Sequence, residues 1–279
     1  MVQKSYNGTP NLYLIPTPIG NFEDITLRSI KYLEEVKVIF SEDTRETMKL
    51  LNKFNIKKKL LSLHKFNEKK VKYKILEYLN KGESVAIVSD RGTPCISDPG
   101  FECSAFIINN GYNVVGLPGA TAFIPALIAS NITPYPFVFY GFLNHKKSKK
   151  QKELKKLKDF SYTFIFYESP HRILETLDEI HKEFGNRYIC IAREISKINE
   201  HLYRGKIEDV KKEIEVIKGE FVLIVEGKKN NSNESQLSEV DQINFYIKEG
   251  LTERKSIKMV SKERNLDKNE VYKDYLKRK

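Results

Sequence analysis

Apolar residues are arranged along the chain in two alternating patterns. From residue 11 to about residue 140, short uninterrupted apolar runs alternate with longer segments in which apolar residues return every three or four positions. The periodic segments 25–36 and 71–79 predict helices that pack one face on a sheet. The short runs predict strands at 12–15, 37–40, 84–88, 112–116 and 137–140. This alternation predicts an α/β fold with a largely parallel sheet.

A second alternating region follows this first one. Its pattern predicts strands at 162–167, 187–191, 201–205 and 220–225, and helices near 170–183 and 206–217. The hairpin-like sequence after Arg187 predicts a mixed sheet. Beyond it, residues 239–279 predict three short helices, with a break at 250–252 and a capping box formed by Asp267 and Glu270.

These patterns divide the chain into two α/β domains and a small C-terminal helical unit. We predict an N-terminal α/β domain at 11–140, a lysine-rich linker at 141–158, a second α/β domain at 159–227 and a basic helical unit at 237–279. The polar segment 228–236 has the composition of a linker. By size and charge the helical unit resembles helix-turn-helix modules, and a passive C-terminal cap is an equally open interpretation.

The net charge of +11 is concentrated in one short stretch. Residues 141–158 contain eight basic and one acidic side chain. Such a block favours binding to a polyanion such as a nucleic acid. Lysine outnumbers arginine 38 to 10, and asparagine is frequent, which is also typical of proteins from AT-rich genomes.

Several classes of protein are disfavoured by the composition. No apolar run approaches the ~20 residues of a membrane span, and the first ten residues lack a signal-peptide core, so we expect a cytoplasmic protein without a membrane partner. Cys95, Cys103 and Cys190 are odd in number and scattered, which argues against a disulfide framework and a zinc site. The five histidines lack ligand spacing, and we predict no metal.

Three loops follow predicted strands, where open α/β sheets bind ligands. The first, second and third ligand loops are residues 16–21 (PTPIGN), 89–100 (SDRGTPCISDPG) and 117–122 (LPGATA). The chain contains neither a G-x-G-x-x-G fingerprint nor a Walker sequence, which favours a nucleoside ligand without a phosphate chain.

The second ligand loop combines several features. Asp90 stands at a strand end, where its carboxylate can accept hydrogen bonds from a ligand, and Gly92 permits close backbone approach. Asp98 followed by Pro99 predicts a helix start, because aspartate is a preferred N-cap and proline suits the first helical position.

Several segments of the chain together carry a resemblance to a known family. They are 12–29 (LYLIPTPIGNFEDITLRS), 41–45 (SEDTR), 64–68 (HKFNE), the second and third ligand loops, 167–173 (YESPHRI), 192–197 (AREISK) and 219–227 (GEFVLIVEG). With these segments the chain resembles the tetrapyrrole methylase superfamily, and within it the branch that methylates ribosomal RNA.

The resemblance implies two α/β domains with S-adenosylmethionine bound in the cleft between them. It implies methyl transfer to the ribose 2′-hydroxyl of a cytidine in 16S rRNA of the small ribosomal subunit, by a homodimer. The residues that it implies for cofactor binding are Pro18, Ile19, Gly20, Asp90, Gly92, Thr93, Thr121, Ala122, Phe166, Tyr167, Gly219, Glu220 and Phe221.

One position departs from the family pattern. Arg91 stands where the family typically has alanine. Its side chain has four possible placements: in solvent, paired with the cofactor carboxylate, against an rRNA phosphate, or obstructing the pocket.

A ribose hydroxyl is a very weak acid, so a group that accepts its proton assists the reaction. The candidates are Glu42 and Asp43, which follow the strand at 37–40, and His64. Helix capping by the two carboxylates and a structural role for the histidine are the competing interpretations. The candidate RNA-binding residues are Arg45, Lys146, Lys147, Lys149, Lys150, His171 and Arg172.

Two other functions compete with RNA methylation. One is C-methylation of a tetrapyrrole such as a precorrin or uroporphyrinogen, since a polycarboxylate macrocycle also suits a basic cleft. The other is a ribosome-binding protein without catalytic activity, which Arg91 in the cofactor loop motivates.

Overall fold

A computed structural model describes residues 2–229, 238–264 and 266–278 of the protein. The chain divides into two compact units, Met1–Lys228 and Lys229–Lys279. Most of the predicted linker 228–236, as well as residue 237, lies outside the described residues. Within the described ranges, no helix combines the length and the apolar character that a bilayer crossing requires.

The first half of the larger unit contains a sheet of five parallel strands. They are β1 (Asn11–Ile15), β2 (Val38–Ser41), β3 (Lys59–Ser62), β4 (Val85–Val88) and β5 (Asn113–Gly116), in the order β3-β2-β4-β1-β5. The pattern predicted every strand except β3. This edge strand begins with an exposed lysine and ends with an exposed serine, so it lacks the apolar run that marks the other four.

Helices cover both faces of this first sheet. They are α1 (Leu27–Glu35), α2 (Thr44–Lys53), α3 (Glu68–Asn80) and α4 (Phe101–Asn109), whereas α5 (Phe123–Ile128) packs against the second half of the unit. Alternate strand residues point to opposite faces, so Ile39 packs with Leu33 and Leu51 on one side. Its neighbour Phe40 packs with Ile75 on the other. Because the five strands are parallel, they all end at the same edge of the sheet, and the three ligand loops begin at that edge.

The second half contains a mixed sheet. Its strands are β6 (Phe137–Phe142), β7 (Thr163–Glu168), β8 (Tyr188–Arg193), β9 (His201–Lys206) and β10 (Phe221–Val225), in the order β6-β7-β10-β8-β9. Strands β6 and β7 are parallel and the other neighbours are antiparallel, which confirms the predicted mixed sheet.

The predicted domain boundary and linker need correction. Strand β6 pairs with β7 and therefore belongs to the second sheet, so the first domain does not extend to residue 140. The segment predicted as a lysine-rich linker contains helix α6 (Lys147–Leu157). Leu154 of this helix is buried in the core of the second half, and this burial makes the segment an integral element.

The second sheet is also covered on both faces. One face packs against α6 and against two further helices, α7 (Ile173–Phe184) and α8 (Ile207–Glu213). The opposite face, which includes Ile165 and Val222, packs against α5 and against Ile19 of the first ligand loop. The two sheets thus share apolar contacts beside the ligand loops, and these contacts set the walls of a cleft.

The smaller unit consists of three helices, α9 (Glu239–Lys248), α10 (Glu253–Arg264) and α11 (Lys268–Arg278). They bury a small apolar core that includes Ile243, Ile257 and Val271. The predicted break at 250–252 separates the first two helices, as expected. Asp267 accepts hydrogen bonds from the backbone N–H groups of Asn269 and Glu270, and its carboxylate therefore caps the last helix.

Candidate active site between the two sheets

A cavity of about 660 Å³ lies between the first and second sheets. Its walls come from the segment after β2, the second and third ligand loops, the end of β7 and the start of β10. Predicted cofactor-binding residues that line it are Ile19, Asp90, Gly92, Thr93, Thr121, Ala122, Tyr167, Gly219, Glu220 and Phe221. This convergence of loops from different elements follows from the parallel strand order, which brings the strand ends to one edge.

Hydrogen bonds hold the three ligand loops together. Thr17 and Gly92 form a two-way backbone bridge, with both N···O distances at 2.9 Å. The Thr93 hydroxyl donates to the carbonyl oxygen of Ala120 at 3.0 Å, which ties the second loop to the third. A Cβ on Gly92, where φ is +85°, would lie 3.3 Å from the Ile19 side chain. Glycine at this position therefore permits both the backbone conformation and the close packing of the loops.

Three predicted cofactor-binding residues lie elsewhere. Pro18 and Gly20 line an adjoining cavity of about 350 Å³ that shares Asp90 and Arg91 with the larger one. Phe166 is fully buried on the face of β7 that packs against α6 and α7. Because neighbouring strand residues point to opposite faces, Tyr167 faces the cavity and Phe166 cannot, so the placement of Phe166 in the pocket is wrong.

Six carboxylate side chains line the larger cavity, and three of them, those of Glu42, Asp90 and Asp98, influence one another's charge. Burial, together with the charges of Glu42 and Asp90, raises the pKa of Asp98 to about 7. Burial and the Asp90 charge also raise the pKa of Glu42, against an opposing effect of His64. Asp90 accepts a hydrogen bond from the backbone N–H of Asp43 at 2.8 Å, so one of its oxygens joins the β2 and β4 loops.

The prediction that Asp98 and Pro99 start a helix is wrong. Helix α4 begins at Phe101, and its N-cap is Gly100, whose φ of +127° an L side chain rarely adopts. The buried carboxylate of Glu68 accepts hydrogen bonds from Gly100 and Glu102 at 2.8 and 3.0 Å and takes the capping role. Asp98 is therefore left facing the cavity. No local pattern signals this, because Glu68 lies thirty-two residues from the helix that it caps.

Asp43 and His64, both predicted as proton acceptors, have structural roles. Asp43 is the N-cap of α2 and binds the Arg45 side chain, whose hydrogen bond lowers the pKa of the carboxyl to about 2. A carboxylate with so little affinity for a proton is a poor base. The ring of His64 accepts a hydrogen bond from the N–H of Phe66 at 3.3 Å, within the turn before α3. Of the three candidates, only Glu42 lines the larger cavity.

Arg91 forms an ion pair across the cleft. Its guanidinium lies 2.6 Å from the carboxylate of Glu220, at the start of the last strand of the second sheet. The other oxygen of Glu220 binds Lys197 at 2.9 Å, and Lys197 binds Glu194 at 2.8 Å. Four possible placements of Arg91 followed from the sequence, and pairing with a carboxylate of the protein itself was not among them.

The predicted RNA-binding lysines have different surroundings. Lys150 is fully buried, and its Nζ lies 3.0 Å from the Thr176 hydroxyl and 3.3 Å from Glu175. The prediction that Lys150 contacts RNA is therefore wrong. Lys147 is exposed and pairs with Glu179 at 3.1 Å. Lys146 and Lys149 are exposed on the same helix end.

The remaining RNA-binding candidates also separate into two groups. Arg172 donates to the carbonyl oxygen of Leu143 at 2.9 Å and lies 3.3 Å from Glu168, so its guanidinium connects α7 to the end of β6. The side chain is 25% exposed, and its contact with RNA remains a prediction. His171 is exposed, and Arg45 is exposed with its side chain on Asp43.

The thiols of Cys103 and Cys190 are poor nucleophiles. Burial raises the pKa of Cys103 to about 12 and that of Cys190 to about 11, so both stay protonated at neutral pH. In residues 2–229, 238–264 and 266–278, no three His, Cys, Asp or Glu side chains form a group that could hold a metal ion. The titratable chemistry of the cavity therefore rests on its carboxylates.

Comparisons with known proteins agree with this architecture. The family model of tetrapyrrole (corrin/porphyrin) methylases matches residues 11–211. The chain is 44% identical to ribosomal RNA small subunit methyltransferase I of Bacillus subtilis (strain 168), over 98% of this chain and 97% of that protein. It is 41% identical to the protein of the same name from Halalkalibacterium halodurans, over 98% and 96% of the two chains.

A solved structure extends the comparison to the fold. Uroporphyrin-III-C-methyltransferase from Thermus thermophilus matches with a TM-score of 0.56 at 17% identity, covering 82% of this chain and 99% of that one. The family resemblance and the α/β fold class inferred from the sequence are thereby confirmed. Since the family model spans most of the chain and the relatives match nearly its whole length, this chain belongs to the tetrapyrrole (corrin/porphyrin) methylase family, in the group of the ribosomal RNA small subunit methyltransferase I proteins.

Proposed function

We propose that the protein is an S-adenosylmethionine-dependent methyltransferase that methylates the ribose 2′-hydroxyl of a cytidine in 16S rRNA of the small ribosomal subunit. The observation that carries this proposal is the match, over nearly the whole chain, to relatives named ribosomal RNA small subunit methyltransferase I. That match includes every loop that lines the larger cavity.

The cavity fits S-adenosylmethionine in size and chemistry. Its volume of about 660 Å³ falls within the range of small-molecule sites. Its carboxylates favour a ligand with sulfonium and ammonium charges, and Gly92 leaves the space that a side chain would fill. The residues proposed to hold the cofactor are Ile19, Asp90, Gly92, Thr93, Thr121, Ala122, Tyr167, Gly219, Glu220 and Phe221, with Pro18 and Gly20 from the adjoining cavity.

When bound, S-adenosylmethionine supplies a methyl group that its sulfonium already activates. The chain then has two tasks, which are to orient the acceptor oxygen and to exclude water. Apolar side chains such as Ile19 and Phe221 reduce the space for water, and the bonded ligand loops keep the walls in place. The carboxylates serve the ribose side, because an acidic wall both orients a hydroxyl and accepts its proton.

Helix α6 offers the phosphate-binding surface. Its exposed lysines include Lys146, Lys149, Lys152, Lys155 and Lys156, whereas Lys150 faces inward. Phosphate contacts of this kind supply affinity and orientation for RNA, and the nucleotide itself is read in the cavity. The basic C-terminal helices are a second proposed contact with rRNA.

The other two functions are not favoured. The tetrapyrrole C-methyltransferase resembles this chain in fold at 17% identity, whereas the relatives named for ribosomal RNA are 41–44% identical. A protein without catalytic activity was suggested by Arg91, but that side chain pairs with Glu220 beside an open cavity.

Isotope transfer tests the proposal. The protein is incubated with methyl-labelled S-adenosylmethionine and small ribosomal subunits from cells that lack the protein, with large subunits and uroporphyrinogen III as parallel acceptors. We expect label in 16S rRNA, on a cytidine whose 3′ phosphodiester bond then resists alkaline cleavage because its 2′-oxygen is methylated. Label in uroporphyrinogen III alone, in large subunits alone, or in none of the three acceptors would overturn the proposal.

The homodimer implied by the family resemblance remains a prediction. Light scattering at several protein concentrations measures it directly, and a mass of 32.5 kDa throughout would contradict it.

A further inference from the structure

Like Glu42, Asp98 lines the larger cavity without a hydrogen bond or an ion pair to any residue that the structure describes. Three other acidic groups around it have partners in the protein. Asp90 accepts the N–H of Asp43, Asp43 binds Arg45, and Glu168 binds Thr176 and Arg172. Within the described residues, no donor forms a hydrogen bond or an ion pair with Asp98. A half-buried carboxylate without a partner in its own chain is available to a substrate.

The backbone around Asp98 is held in an unusual conformation that keeps its side chain in place. Cys95 and Ser97 both have φ of +69°, in the left-handed region that residues other than glycine rarely adopt. The Ser97 hydroxyl lies 3.1 Å from where a Cβ on Gly141 would stand, so the loop presses against strand β6 at a residue without a side chain. Such strain persists where the surrounding structure over-determines it, often at functional sites.

The groups facing Asp98 come from three elements. Glu42 follows β2 and Asp90 follows β4, while Tyr167 belongs to β7 and Cys95 to the same loop as Asp98. The two carboxylates raise the proton affinity of Asp98, as does its burial. Glu42 itself is exposed, and His64 opposes the rise in its pKa. Glu42 is therefore a weaker candidate than Asp98 for the group that accepts a proton.

We infer that Asp98 is the catalytic residue that accepts the proton of the ribose hydroxyl, and that Glu42 and Asp90 tune it. This inference deepens the proposed function and rests on it. The ribose oxygen forms the new bond to the methyl carbon while the carbon–sulfur bond breaks and leaves its electron pair on sulfur. The hydroxyl proton passes to a carboxylate oxygen of Asp98. The positive charge of the donor and the negative charge of Asp98 are both lost, so charge balances.

The test measures kcat for methylation of unmodified small subunits from pH 5.5 to pH 9, at saturating S-adenosylmethionine. For the wild-type protein, we expect kcat to rise with pH with a midpoint near pH 7 and to level off about one pH unit higher, because the carboxylate must be ionised to accept the proton. Asp98→Asn should lower kcat about 10²–10⁴-fold and abolish the rise. Calorimetry should show that this variant still binds S-adenosylmethionine, which excludes misfolding as the cause.

Glu42→Gln provides a second, independent readout. Removing this neighbouring charge lowers the proton affinity of Asp98, so the midpoint of the kcat profile should move to lower pH. A merely structural Asp98 would not respond in this way. Glu46→Gln is the matched control, because Glu46 lines the same cavity but pairs with Lys49 at 2.6 Å, and it should leave the midpoint in place.

Two results overturn the inference alone. One is an Asp98→Asn variant that keeps kcat within about tenfold of the wild type together with its rise with pH. The other is loss of turnover in Glu42→Gln with only a shifted midpoint in Asp98→Asn, which would assign the proton to Glu42. Failure of the wild-type protein to methylate small subunits would instead overturn the proposed function, and this inference with it.

Discussion

At the scale of the residue, Asp98 illustrates a conflict between function and stability. Its pKa is about 7 in the folded protein against an ordinary value of 3.8, so the folded state binds the proton more tightly than the unfolded state. The contribution of Asp98 to the free energy of unfolding is therefore most favourable below about pH 4, and it is lost as pH rises from about 4 to about 7. Above neutral pH, the ionised carboxylate of Asp98 lowers the free energy of unfolding by a constant amount.

Asp98→Asn should therefore stabilise the protein at pH 8. After discounting for solvent screening, we expect the free energy of unfolding to rise by about 1–2 kcal/mol relative to the wild type. The difference should shrink as the pH is lowered toward 5, because the wild-type carboxyl then takes up its proton. Urea denaturation followed by circular dichroism measures the free energy of unfolding of both proteins at each pH. A variant less stable than the wild type at pH 8 would contradict the prediction that ionised Asp98 destabilises the folded protein.

Lys150 is the second residue whose environment decides its role. Its Nζ contacts Thr176, whose hydroxyl in turn donates to Glu168 at 2.6 Å, so a buried polar network joins α6, α7 and β7. Lys150→Glu places a carboxylate among existing carboxylates and should cost about 3–5 kcal/mol in the free energy of unfolding. Lys149→Glu, one position earlier and exposed, is the control and should stay within about 0.5 kcal/mol of the wild type.

At the scale of the element, helix α6 has one face in the core and one in solvent. Leu154 and Lys150 face inward, while Lys146, Lys149 and Lys152 are exposed. A block of lysines in sequence is therefore not a uniform surface, because the 3.6-residue period of the helix places residues three or four positions apart on the same face and leaves the others on another face.

Reversing the charge of Lys146, Lys149 and Lys152 together should weaken binding to small ribosomal subunits. Each lost phosphate contact removes about 0.7–0.9 from the slope of log affinity against log salt, so the triple variant should lose roughly two to three units of slope. Affinity for S-adenosylmethionine should not change.

The control for this experiment is a triple reversal of Lys53, Lys57 and Lys59. These exposed lysines lie at the end of α2 and the start of β3, on the edge of the first sheet opposite the ligand loops. This variant has the same net charge as the first. Equal losses of slope in both variants would mean that only total charge matters and would contradict a binding role for α6.

At the scale of the whole molecule, the two sheets are joined by apolar packing and by one ion-pair network. Ile19 and α5 pack against the second sheet, and Arg91 pairs with Glu220 at the cleft. Both partners of the ion pair are about half-exposed, with side chains 51% and 60% accessible, so solvent screens their attraction. The apolar contacts therefore contribute more than this ion pair to the energy that holds the two sheets together.

A double-mutant cycle on Arg91→Ala and Glu220→Gln measures how much the ion pair contributes to the free energy of unfolding. We expect a coupling free energy of about 0.2–1 kcal/mol at low salt that declines toward zero at about 1 M salt. Arg91→Ala should change the affinity for S-adenosylmethionine by less than about threefold, or roughly 0.6 kcal/mol. A much larger gain in affinity would show that Arg91 obstructs the cavity.

The sequence by itself determined the elements and the edge at which chemistry is found. Burial on both faces makes β1, β2 and β4 nearly continuous apolar runs, and periodicity identifies α1 and α3, because these signals depend only on neighbours along the chain. Parallel strands end at one edge, so the three ligand loops could be located before any contact was known.

Only the tertiary structure decided which members of those loops and helices face the cleft. Asp98 has the local sequence of a helix cap, yet Glu68 from another helix takes that role and leaves Asp98 in the cavity. Phe166 and Tyr167 are neighbours on one strand, yet Phe166 lies in the core and Tyr167 lines the cavity. Lys149 and Lys150 are neighbours on one helix, yet Lys149 is exposed and Lys150 is buried. Their environments depend on elements far away in sequence, and the strength of a charge or a base depends on environment rather than on residue type.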